Sequence, residues 1–176
     1  MKFTRLILSV AAVIFATLIM AVSLMSANSV VSYEGSLASQ KRFYVGETIL
    51  PDHVLYPLVA AADRALLWIT PPQQKAVLQI AYGRIRLDYA KALLMKNEPG
   101  MAQAALTKSQ KYHSLAAEKV CQLEDNEVLI EFVIQALKEN LTEVENIIPQ
   151  LAPHQRSLPE QLQDHNRALL QKLQKL

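Results

Sequence analysis

Residues 70–100 read TPPQQKAVLQIAYGRIRLDYAKALLMKNEPG, a run with a proline pair at one end and Pro-Gly at the other. Between these breakers Ala, Leu, Gln, Lys and Tyr predominate, and no strand-like alternation lasts long enough to compete with a helix. Thr70 fits the N-cap, Pro71 the first helical position and Gln73 the third position of a Thr-x-x-Gln capping box. The spacing predicts a helix to about Lys96, with Leu78, Ala81, Ile85, Tyr89 and Ala92 as its apolar stripe and Arg84, Asp88 and Lys91 beside it. Asn97-Glu98-Pro99-Gly100 then turns the chain. So short a link makes the next helix an antiparallel neighbour, so the unit of this fold is a helical hairpin.

Working outward, a shorter helix is predicted from Pro57 through Leu58, Ala61, Ala65, Leu66 and Trp68, ending before Pro71. The partner in the hairpin runs from about Met101 to Leu123 and carries Ala104, Ala105, Tyr112, Leu115, Ala116 and Val120. A fourth helix, about Asn126 to Ile148, places Val133, Leu137, Leu141, Val144 and Ile148 at mixed three- and four-residue steps, the spacing of a packed seam. Pro149 and Pro153 end it. Ser157-Leu158-Pro159-Glu160 reads as a Ser-x-x-Glu box opening a last helix lined by Leu162, Leu169, Leu173 and Leu176, which the thin alanine- and glutamine-rich core leaves partly detached. The expected fold is all-α: an N-terminal transmembrane helix, a linker, then a four- to five-helix antiparallel bundle.

The transmembrane expectation comes from Leu6 to Met25, a stretch without a charged residue. It has roughly the 20 residues that a helix needs to cross a bilayer. Lys2 and Arg5 precede it with no acid among them, which puts the N-terminus in the cytoplasm and the remainder outside. A cleaved signal peptide is the competing reading, with Ala27-Asn28-Ser29 as a passable cleavage site, and would leave a secreted product; the apolar run exceeds the usual h-region length of about 7–15 residues. The lone cysteine, Cys121, excludes a lipoprotein anchor and an internal disulfide. Three segments follow: a cytoplasmic stub and anchor at 1–27, a juxtamembrane linker at 28–49 punctuated by Gly35 and Gly46, and an extracytoplasmic helical domain at 50–176.

Charge narrows the partners. Lys2 and Arg5 are two of 18 basic residues, so the part beyond the anchor carries 16 basic against 16 acidic groups. That neutrality argues against nucleic acid, which calls for clustered Lys and Arg. Interspersed charges such as Arg84, Arg86, Lys91, Lys108, Lys111 and Lys119 read as a solubilising surface before a face for an anionic polymer.

Chemistry-bearing motifs are sparse. His53, His113, His154 and His165 are the only histidines, and none pairs with another at helical spacing, so no metal site is expected; His154 and His165 would meet only across the last turn. Acids at Glu124, Asp125 and Glu127, and at Glu139, Glu143 and Glu145, suit solvated helix positions better than a general acid-base pair. No nucleophile elbow, Walker loop or dinucleotide turn is present, so neither an enzyme nor a cofactor is expected, and no small-molecule substrate is identified. Asn140-Leu141-Thr142 matches a glycosylation sequon by coincidence.

At Leu50-Pro51-Asp52-His53-Val54-Leu55-Tyr56-Pro57-Leu58 the chain resembles a bacterial family of unknown function, single-span proteins whose helical external domain opens with Leu-Pro-x-x-x-Leu-Tyr-Pro-Leu. The similarity runs over roughly residues 45–176, including Ala81-x-x-Arg84-Ile85. Two features depart from the family: Val59 stands where its members usually carry Lys, and their helices are more densely charged. The resemblance implies a membrane-tethered helical domain and supplies no reaction or ligand. Physically, Leu55, Tyr56 and Leu58 form an apolar plug docking the linker on the bundle, while Pro51 and Pro57 restrict its approach. The function expected from all this is a noncatalytic interaction module that binds a protein partner, or itself, through an exposed apolar face on the fourth and last helices. The alternative is an envelope ligand-binding or stress-sensing domain enclosing a small apolar pocket.

Overall fold

The computed structural model describes residues 49–123 and 126–175, in which five α-helices pack as a bundle. They are α1 (Tyr56–Ile69), α2 (Pro72–Met95), α3 (Pro99–Val120), α4 (Glu127–Ile147) and α5 (Pro153–Leu173), with a 3-10 turn at Ile148–Gln150 between the last two. Among the described residues no helix is long and apolar enough to cross a membrane. The expected span, Leu6 to Met25, and the linker up to residue 48 lie outside them.

Local chemistry sets the boundaries, though not always through the groups the sequence suggested. Pro72, not Pro71, starts α2, because a residue before proline is driven out of the helical region; Pro71 sits at φ −58°, ψ 152° as the N-cap. Thr70 therefore belongs to the end of α1, its hydroxyl donating to Leu66 O at 2.6 Å, and the expected capping box does not form. The α2–α3 turn is a Schellman motif. Asn97 takes φ 60°, and the N–H groups of Asn97 and Glu98 donate to Leu94 O and Leu93 O, both at 2.9 Å. Asn126 caps α4 by accepting from Leu129 N at 3.0 Å.

The last helix begins earlier than Ser157. Pro153 occupies its first turn and Gln155 Oε1 accepts from the Ala152 N–H at 3.3 Å, so Ser157 and Pro159 fall inside the helix. An internal proline normally costs a helix about 3 kcal/mol. Here Pro159 is buried and its carbonyl accepts from Gln110 Nε2 at 2.9 Å. Far from being partly detached, α5 is fastened along α3.

Two apolar cores form, one at each end of the bundle. The first gathers Leu87, Ala90 and Leu93 of α2, Ala102 and Leu106 of α3, and Val144 and Ile147 of α4, closed by Leu50 and Leu151. The second gathers Ala76, Ile80, Ala117, Val120, Leu129, Val133, Leu137 and Leu173, with half-exposed Cys121 at its edge. Between them the bundle has a polar waist: Ser109, Gln110, His113 and Ser114 of α3, Asn140 of α4 and Asn166 of α5 are all buried. Ser114 Oγ lies 2.6 Å from Asn166 Oδ1, to which it donates. Asn166 Nδ2 donates to Gln110 O at 3.2 Å, and Asn140 Nδ2 to Ser109 Oγ at 3.1 Å. Such a network specifies register, since sliding one helix would strand several polar groups in an apolar layer.

The waist also explains where the expected stripes went astray. On α3 the buried positions are 102, 105, 106, 107, 109, 110, 113, 114, 116, 117 and 120, a helical stripe whose middle is polar. Ala104 and Leu115 face outward instead. On α2 the buried face is Ala76, Ile80, Gly83, Leu87, Ala90 and Leu93 together with Tyr89, so Leu78, Ala81, Ile85 and Ala92 lie on its half-buried flanks. The α4 seam of Val133, Leu137, Leu141, Val144 and Ile148 is buried as the spacing predicts.

Candidate functional site

Two features stand out, an apolar helix turned outward and a polar cleft at the waist. The helix is α1, which has no buried residue. Its inward face carries the charge. Asp63 Oδ2 lies 2.7 Å from Arg86 Nη2, with the side chains 13% and 3% exposed. The Arg86 guanidinium sits over two rings, 5.3 Å from the Tyr56 centroid and 5.1 Å from that of Tyr89. Those rings meet edge to face at 6.4 Å. Lys108 adds a second cation, 5.7 Å from the Tyr56 centroid.

The outward face is the reverse. Leu58, Ala61, Ala62, Ala65, Trp68 and Ile69 all face solvent at steps of three, four, seven, ten and eleven from Leu58, one continuous apolar stripe. Leu58 is 69%, Trp68 89% and Ile69 63% exposed. Arg64 is the only exposed charged residue on the helix. Of the motif residues read from the sequence, Leu50 is buried and Tyr56 packs against the same core. Leu55 and Leu58 point outward with Pro57, and Pro51 is half-buried.

The cleft opens between α2 and α4 with a volume of about 580 Å³. Leu87, Ala136, His113 and Asn140 line its floor, and Arg84, Asp88, Lys91, Gln135, Lys138, Glu139, Thr142 and Glu143 its walls and rim. Two ion pairs cross from α2 to α4: Arg84 to Glu139 at 2.7 Å and Lys91 to Glu143 at 2.8 Å. Being half-exposed, each stabilises by only about 0–1 kcal/mol, so thermal motion opens them readily. The acids at Glu139 and Glu143 thus serve as clasps, and Glu145 pairs with Arg167 at 2.6 Å.

His113 is the buried titratable group of the waist. Its Nδ1 lies 2.9 Å from Ser109 O; a carbonyl can only accept, so Nδ1 carries the proton and Nε2 presents a lone pair. Burial pushes its pKa down to about 4, with the Ser109 bond opposing, Arg84 assisting and Glu139 opposing. The imidazole is neutral at pH 7. Neither His113 Nε2 nor Asn140 Oδ1 has a hydrogen-bond partner among the described residues. Asp88 is held above the ordinary carboxylate value by partial desolvation, with Lys91 opposing and Glu143 assisting.

Gly83 makes room for that ring. A Cβ placed there would sit 2.4 Å from His113 Cε1 and 2.5 Å from Nδ1. Gly83→Ala is expected to lower stability by about 1–3 kcal/mol through overpacking, despite the better helix propensity of alanine. Adding His113→Ala should recover part of that loss. A double-mutant cycle in urea measures the coupling, and simple additivity would show that the clash is relieved elsewhere.

The cleft sets a floor that includes Leu87 and Ala136 beneath walls and a rim of mainly charged and polar side chains. Among the described residues no group of three or more His, Cys, Asp or Glu side chains is placed to hold a metal ion. His154 is exposed, and His165 Nε2 faces Glu118 Oε1 at 3.4 Å. Asn140 of the sequon is buried. Gly83, Ser109, His113, Asn140 and Asn166 belong to no functional motif in the sequence. The available signal was a glycine in mid-helix, which calls for a packing reason, facing polar residues four apart on the next helix. No protein-family model, curated protein or solved structure matches the chain.

Proposed function

We propose that this protein is a noncatalytic interaction module, tethered to a membrane through residues 6–25, that presents the outer stripe of α1 to a second copy of itself. The observation that carries the reading is the inverted amphipathicity of α1, with its acid turned in toward Arg86 and its apolar residues turned out. A stripe of this kind is unusual on a monomer. The uncharged segment Leu6–Met25 and the resemblance of the Leu50–Leu58 element to single-span proteins support the membrane placement. Residues expected to supply the apolar face on α4 are already consumed within the bundle, which leaves α1 as the surface.

Self-association follows from the arrangement along the stripe. Leu58 stands at one end, Trp68 and Ile69 at the other, and three alanines between, so two copies laid antiparallel about a two-fold axis set large residues against large ones beyond a flat middle. Trp68 is the only tryptophan in the chain and reports on the contact. The full chain in detergent is expected to sediment as a dimer with blue-shifted Trp68 emission. Leu58→Glu should yield a monomer with red-shifted emission and an unchanged melting temperature. A wild-type monomer at every concentration, or a blue shift that survives in monomers through lipid alone, overturns the reading.

A further inference from the structure

The cleft between α2 and α4 has no part in the α1 surface, and its floor is made of acceptors. At its floor His113 Nε2 and Asn140 Oδ1 are both buried, both lone-pair acceptors, and both without a partner among the described residues. Buried acceptors of this kind are costly to leave unmade, so a site that keeps two of them in one place is suited to a donor. The rim supplies charge. Its two crossing ion pairs are each neutral, whereas Asp88, between Arg84 and Lys91 on the same face of α2, and Lys138 on α4 make no ion pair among the described residues. Lys138 balances the net charge of the lining from an exposed position on α4. An anion would meet lone pairs at the floor, and a neutral alcohol would leave the Asp88 charge unanswered.

We propose that this cleft binds the ammonium group of a small organic amine, with His113 Nε2 and Asn140 Oδ1 accepting its hydrogen bonds and the Asp88 carboxylate as its counter-charge. An ammonium group offers three donors and no acceptor, the complement of a cleft whose floor holds two acceptors and whose rim holds a carboxylate. Entry requires the Arg84–Glu139 and Lys91–Glu143 clasps to part, and both are half-exposed and weak. His113 acts here as a neutral acceptor and is not protonated by the ligand.

The test uses the full chain in a non-ionic detergent at neutral pH, titrated with 1,4-diaminobutane and, in parallel, with uncharged 1,4-butanediol. Saturable heat is expected with the diamine alone. The ¹⁵N resonance of His113 Nε2 should move upfield with the same midpoint as its lone pair takes a hydrogen bond. Asp88→Asn, on the surface and safe for folding, should weaken the diamine roughly tenfold, the ratio set by one charge-assisted bond. Binding of the diol at equal affinity, an unperturbed His113 at saturation, or Asp88→Asn binding as tightly as the parent each overturns the proposal. Because Leu58→Glu leaves the cleft intact, failure of the dimer and failure of this site are separately visible.

Discussion

Asp63→Ala is expected to lower the unfolding free energy by about 3–5 kcal/mol, the loss associated with stranding one member of a buried ion pair. Arg86 is the member stranded. Its side chain is 3% exposed and hydrogen-bonds to Asp63 at 2.7 Å, with Tyr56 and Tyr89 against its flanks. Its Nη1 already lacks a partner among the described residues, so losing Asp63 removes the hydrogen bond that holds Nη2. The relief available to the protein is to let α1 swing away and hydrate the guanidinium. Part of the loss should therefore register as faster amide exchange across Tyr56–Ile69 before the remaining helices melt. Replacing both partners, as Asp63→Leu with Arg86→Met, should restore most of the stability, because desolvating the pair offsets much of its attraction. Urea denaturation of the three variants decides the matter: a single mutant within about 1 kcal/mol of the parent would mean that water already reaches Arg86.

That pair also shows what the sequence hides. In the sequence Arg86 is no different from Arg84 and Lys91, since a lone Arg in a helix is usually solvated. Only tertiary structure brings Asp63 across from another helix to receive it. The same cause hides the stripe of α3, where apolar Ala104 and Leu115 are exposed while polar Ser109, Gln110 and His113 are buried. A period of 3.6 is present, but five of the eleven buried positions are polar. The all-helical fold was legible because it rests on local chemistry: Pro57 and Pro72 open helices, Asn97 closes one, Asn126 caps another. The α4 seam was legible because every member of it is aliphatic. The candidate cleft was not, since each of its residues has an ordinary local reason to be where it is, and its meaning comes from side chains more than twenty positions apart meeting at one depth.

The pH dependence of stability follows from the same waist. His113 has an ordinary pKa of 6.5 and is held down to about 4 in the folded chain. Between those values the unfolded chain binds a proton that the folded chain refuses, so stability rises with pH through the interval. The contribution is complete above about pH 6.5, declines as the solution is acidified, and is fully lost below about pH 4. At roughly 1.36 kcal/mol per unit, the loss across the window comes to about 3 kcal/mol. Two carboxyls bear on the acid end. Asp52 is lowered by its hydrogen bond to Lys96 and loses its stabilisation only at still lower pH, while Asp88 is raised and regains some as it protonates. The interval just below pH 6.5 is where the unfolded His113 begins to take up the proton that the folded core refuses. His113→Gln is expected to flatten the profile there while lowering the plateau at pH 7, since the Ser109 bond and the fit over Gly83 are disturbed. Denaturation midpoints taken between pH 7 and pH 4 for both proteins check this. A parent profile as flat as the variant's would show that the imidazole takes up its proton without leaving the core.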